Sequence, residues 1–157
     1  MILTIYIILA WLVVGYFIVM PKKVGKEKLL FIFMITTIII LVFNNIISLN
    51  MGFYLPSQTR ELFISYVINR NILLPFLIMI CLTYIFSVNK MGTKSAAVII
   101  TLLFMLVMQI LGVKLRVITY IHWNYVLSLL LLIVYLAVSL LLTAWFSLLI
   151  NRKKRSL

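Results

Sequence analysis

Charged side chains fall at wide intervals along this chain, and between them run long stretches with no charge at all. Five such runs stand out: Ile2–Met20, Leu29–Leu49, Ile72–Val88, Ser95–Val113 and Tyr125–Ile150. A helix needs about 20 apolar residues to cross a hydrocarbon layer about 30 Å thick. The runs are of that order, Ile72–Val88 being the shortest. Their apolar residues are continuous rather than alternating, which argues against a barrel. A helix is the expected form because backbone groups in lipid must be satisfied within their own segment. The pattern predicts an all-α fold: a polytopic membrane protein, one transmembrane domain over 1–157, built as a bundle of five transmembrane helices.

The longest polar interruption covers 50–71. It opens with "NMGFYLPSQT", where Gly52 and Pro56 read as turn or loop punctuation. In "RELFISYVINRN", Leu62, Phe63, Tyr66 and Val67 recur at helical spacing. We expect an interfacial helix over 60–70, starting near Thr59 as N-cap, with a break near Asn69–Asn71. The alternative is a helix that continues directly into the third span, since Pro75 is tolerated in a membrane helix when neighbours satisfy the freed carbonyl.

Composition supports the membrane reading. Of the 157 residues, 66% are hydrophobic and 10% charged, against about 25% charged in soluble domains. Such a chain has nothing with which to cover a water-facing surface. There are 14 Lys and Arg against 2 acidic residues. In a soluble protein that balance would suggest nucleic acid. Here the basic residues sit between apolar runs, so the bilayer explains them first and no nucleic acid is expected.

The distribution of positive charge predicts direction. Lys22, Lys23, Lys26, Lys28, Lys90, Lys94, Arg152, Lys153, Lys154 and Arg155 fall on one side of the alternating runs; Arg60, Arg70, Lys114 and Arg116 fall on the other. The excess places the N-terminus outside, the C-terminus in the cytoplasm and the basic tail 151–157 inside. The first run lacks a basic segment before it and a small-residue cleavage site after it, so it is expected to be a retained span. Aromatics agree with that placement: Tyr16, Tyr84 and Trp145 fall toward the inner interface, and Tyr54, Tyr120, Trp123 and Tyr125 toward the outer one. Trp11 sits mid-span, where no headgroup meets its N–H, and is expected to face another helix.

Candidate chemistry is sparse. "GVKLRVITYIHWNY", Gly112 to Tyr125, holds the only histidine together with basic and aromatic residues. Basic and aromatic residues are the ordinary furniture of a re-entry loop, and that is the expected role. The other polar side chains concentrate toward the outer half. Asn44, Asn45, Gln109, His122, Glu61 and Arg116 are therefore candidates for an outward polar pocket, or for interhelical hydrogen bonds and caps. Glu61 has Arg60 and Arg70 within its own loop as ion-pair candidates.

The clusters Lys22, Lys23, Lys26, Lys28 and Arg152, Lys153, Lys154, Arg155 serve topology first. They are also candidate contacts for anionic lipids at the cytoplasmic face or for a partner. In the last span Ser139 and Thr143, four apart, form a small face suited to close helix contact, within the protein or between copies.

Several reaction classes lack their parts. No ionisable residue lies in the middle of a run, where ion-coupled transport usually keeps one. One His and one Cys, at different expected depths, do not make a zinc site. Cys81 and the methionines read as packing. No cofactor and no catalytic constellation is expected.

The last two spans and the segment joining them, "ILGVKLRVITYIHWNYVL" from Ile110 to Leu127, taken with the length and the outside N-terminus, resemble the small five-span integral membrane proteins of unknown function found in spore-forming Gram-positive bacteria. The resemblance is architectural and implies no activity or functional residue. Richness in Ile, Lys and Asn suggests an AT-rich genome, and a bacterial plasma membrane is the expected home. The functional expectation is a non-enzymatic accessory or assembly subunit acting through helix contacts, with a membrane-protein partner or a second copy. The alternative is a solute- or lipid-binding component of a transporter or sensor with an outward-facing polar pocket.

Overall fold

A computed structural model describes residues 1–22 and 24–155, with side chains described as far as Ile150. Lys23 lies outside the described residues. The side chains of Arg152, Lys153, Lys154 and Arg155 do too, although the last helix runs on to Arg155.

The backbone forms α1 (Ile2–Val19), α2 (Lys26–Asn45), a π turn (Ile46–Asn50), β1 (Tyr54–Pro56), α3 (Arg60–Ile68), a second π turn (Asn69–Leu73), α4 (Leu74–Ser87), α5 (Met91–Lys114), β2 (Ile118–Tyr120) and α6 (Tyr125–Arg155). Taken through their π turns, these make five helices long and apolar enough to cross a membrane. The all-α architecture expected from the apolar runs is present, with 81% of the chain helical.

Helix α2 is central, packing on α4 and α6, while α5 closes against α4 and α6 and α1 lies outside on α3, the second π turn and α4. The seams follow helical spacing. On α2, Ile32, Thr36, Ile40 and Asn44 point inward, and on α6 the inward stripe is Leu132, Tyr135, Leu136, Ser139 and Thr143. Three buried hydroxyls bond back along their own helix, Thr36 Oγ1 donating to Ile32 O, Thr83 Oγ1 to Met79 O and Thr143 Oγ1 to Ser139 O, each at 2.7 Å, whereas the buried Ser139 Oγ has no partner among the described residues. Such back-bonding keeps a polar atom satisfied in a dry interior.

The expected break near Asn69–Asn71 is not there. The helix runs unbroken from Arg60 to Ser87, 28 residues, so 60–70 is continuous with the third apolar helix and not a separate one. The physical reason lies at Pro75, which has no N–H to donate. The π turn Asn69–Leu73 immediately precedes it, and Pro75 stands in the first turn of the α-helical stretch that follows. A wider turn shifts the hydrogen-bond register without ending the helix. Thr59 does stand at the N-terminus of α3, accepting from Phe63 N at 2.8 Å through its carbonyl, but its side chain makes no capping bond.

At one end the two longer loops are stitched together. β1 and β2 pair antiparallel, Tyr54 opposite Tyr120, Leu55 opposite Thr119 and Pro56 opposite Ile118. Phe53 O accepts from both Ile121 N at 3.0 Å and His122 N at 3.1 Å. We call this the strand end; the opposite end carries Lys22, Lys26, Lys28, Lys90 and Lys94 and is called the basic end. Helix α5 stops at the strand end in a Schellman arrangement: Val117 N donates to Gly112 O at 2.9 Å and Arg116 N to Val113 O at 3.1 Å. That motif asks for a left-handed residue, usually glycine, and Arg116 supplies it with φ 56°.

Candidate functional site

The strand end gathers polar side chains into a hydrogen-bonded network. Asn44 is buried between α2, β1 and α6. Its Nδ2 donates to Ile40 O at 2.8 Å and to the Tyr135 hydroxyl at 2.9 Å, and the Tyr54 hydroxyl donates to its Oδ1. Tyr54 and Tyr135 are each 1% exposed, and Tyr66 is buried beside them. Burial drives the Tyr54 phenol well above its ordinary value; the Tyr66 and Tyr135 phenols add to that and Arg70 works against it. Tyr54 therefore stays neutral and donates.

A second knot lies on the other side of the cap. Ser128 Oγ, at the start of α6, sits 2.7 Å from the Tyr120 hydroxyl and accepts from Trp123 Nε1 at 2.8 Å. Trp123 also packs against the rings of Phe53 and Tyr54. Asn124 Oδ1 accepts from Leu127 N at 2.8 Å, capping α6. Burial raises the Tyr120 phenol, against the opposing effect of Ser128 and Gln109. The stretch Gly112–Tyr125 is thus a turn back into the bundle, as expected of a re-entry loop. Its aromatic hydroxyl and indole N–H, however, converge on Ser128 instead of pointing to a headgroup layer.

The remaining candidates scatter. Asn45, next to Asn44, is exposed and accepts from Arg70 Nη1 at 3.2 Å. Arg70 also donates to Asn71 Oδ1 at 3.1 Å and lies over the Tyr66 ring, so its guanidinium is engaged away from Glu61. Glu61, Arg116 and His122 are exposed, and Gln109 is half-buried. Ser139 and Thr143 are both 0% exposed. Their small face is consumed by packing inside the chain and is not presented to a second copy. The residues that sequence reasoning passed over are Ser128 and Tyr135. A serine one turn into the last span, just past an aromatic loop, was the available signal for the first; nothing in the apolar run around it marked the second.

Two apolar clefts flank α1, and neither is lined by the candidate pocket residues. One, of about 570 Å³, lies between α1, α4 and α5 and includes Leu9, Val13, Tyr16, Cys81, Tyr84 and Ala97 in its wall. The other, of about 400 Å³, is formed by Ile7, Ala10, Trp11, Val14 and Ile18 with Ile68 and Ile72. The two lining sets recur at three- and four-residue steps on opposite faces of α1. Trp11, expected to face another helix, is not covered by one within this chain: it is 77% exposed. Helix α1 is apolar on every side, so its sequence held no preference for which face packs.

Among the described residues there is no group of three or more His, Cys, Asp or Glu able to hold a metal ion. Comparison with protein-family models, with curated proteins and with solved structures finds no match to this chain.

Proposed function

We propose that the protein is a multi-pass subunit of a bacterial plasma membrane, N-terminus outside and C-terminus cytoplasmic, that performs no chemistry of its own and assists another membrane protein by packing α1 against one of its helices. The observation that carries this reading is Trp11. It is the tenth residue of an 18-residue helix, about 13 Å from either end at 1.5 Å per residue, and it projects from a groove of otherwise apolar residues. An indole N–H in hydrocarbon gains from an acceptor that only another polypeptide brings. The polar groups that a solute pocket would use are engaged within the chain or scattered over its surface, which favours the accessory role over the pocket.

The test is a photo-crosslinking residue at position 11 in living cells, with the same residue at Leu141, an exposed position on α6, as control. A discrete protein adduct at position 11 and none at 141 is expected. Lipid adducts alone at both positions would rule the reading out. A reporter fused after Leu157 tests the orientation separately: it should be reachable only from the cytoplasm.

A further inference from the structure

We infer that the cleft between α1, α4 and α5 holds one acyl chain of an anionic phospholipid, whose phosphate rests on Lys90 and Lys94. The cleft has the shape for a chain. Its α5 wall runs from Thr93 to Phe104, about 16 Å along the helix axis, and its volume of about 570 Å³ lies within the range of ligand sites, about 300–1,000 Å³. Its lining is aliphatic and aromatic, with small residues Ala96 and Ala97 keeping the α5 wall low.

The basic end of the cleft has the chemistry for a headgroup. Thr93, Ala97, Ile100 and Phe104 follow one another at steps of three and four, and Lys90 is the N-cap residue where that stripe of α5 ends. Lys94, half-buried, stands two turns before the lining residue Thr101 on the same face of α5. Of the two acidic residues in the chain, Glu61 belongs to the strand end and Glu27 alone to this one, so cations dominate. On α4, Ser87 extends the lining residues Ile80 and Tyr84 by a further three, and its buried Oγ has no hydrogen-bond partner among the described residues. The inference requires only that the basic end meet headgroups. It is independent of any protein partner at Trp11, which lies on the opposite face of α1.

The experiment is native mass spectrometry of the full chain in detergent with phosphatidylglycerol and phosphatidylcholine added in equal amounts. One phosphatidylglycerol retained per chain is expected, in preference to phosphatidylcholine. Lys90→Gln with Lys94→Gln should lower that preference by about thirtyfold while phosphatidylcholine still binds, each lysine near the surface being worth about fivefold. Ala97→Phe, which fills the cleft, should lower retention of both lipids. Ala96→Leu, at an exposed wall position, is the second filling variant should Ala97→Phe melt early. Retention indifferent to both filling variants would overturn the proposal. So would a phosphatidylglycerol preference unchanged in the lysine variant.

Discussion

Asn44 and Asn45 are adjacent and chemically identical, yet they should differ sharply when replaced. Asn44→Leu keeps the bulk of the side chain and removes every polar atom. The bonds to Ile40 O and the Tyr135 hydroxyl, at 2.8 and 2.9 Å, lie within a membrane-type helix bundle, where such bonds average about 0.6 kcal/mol each. The bond from Tyr54 differs, because Tyr54 belongs to the cap between helices and its hydroxyl returns to water on unfolding. Left without an acceptor at 1% exposure, it costs about 1–3 kcal/mol. The expected loss is about 2–4 kcal/mol. Asn45→Leu breaks one exposed contact with Arg70, and water replaces it at a cost of at most about 1 kcal/mol. The assay is unfolding in mixed micelles by SDS titration, followed by circular dichroism. In a Tyr54→Phe background the Asn44→Leu loss should shrink by about 1–3 kcal/mol, since no phenol is left stranded. If the two asparagine variants unfold at the same SDS fraction, the network does not hold the cap and the reasoning fails.

Arg116→Gly should raise stability by up to about 1 kcal/mol in the same titration, because glycine adopts φ 56° without the steric cost of a side chain; a drop would show that the Arg116 side chain matters more than its backbone. Ser139→Leu, at 0% exposure on the inward stripe of α6, should cost about 1–3 kcal/mol through overpacking and leave the oligomeric state in detergent unchanged by light scattering. Burial raises the Tyr120 phenol, so its contribution to stability is fully present below the ordinary phenol value of about 10 and is lost as pH rises through the raised one. Stability should fall as pH rises above about 10, and Tyr120→Phe should flatten part of that slope relative to the parent chain.

The helices were legible because each satisfies its backbone within its own segment, so an uncharged run of sufficient length is enough to announce one. The ends were legible because Lys and Arg cluster there. The third helix was misread at Asn69–Asn71, where three polar residues look like a break and a π turn instead carries the helix through to Pro75. Gly112–Tyr125 was recognised as a turn. Its pairing with Tyr54–Pro56 joins segments more than sixty residues apart, and the two strands are only three residues each, too short for alternation to register.

What the sequence alone determined is the number of apolar helices, their approximate limits and the unequal charge of their two ends. What only the tertiary structure decided is azimuth: that Asn44 turns in and Asn45 out, that Ser139 and Thr143 are sealed inside, and that α1 leaves both of its faces to clefts. The physical reason is that hydrocarbon is as apolar as a protein interior. A helix greasy on every side gains nothing from the hydrophobic effect by choosing a face. Close packing and a few buried hydrogen bonds make that choice, and they exist only once the helices have met.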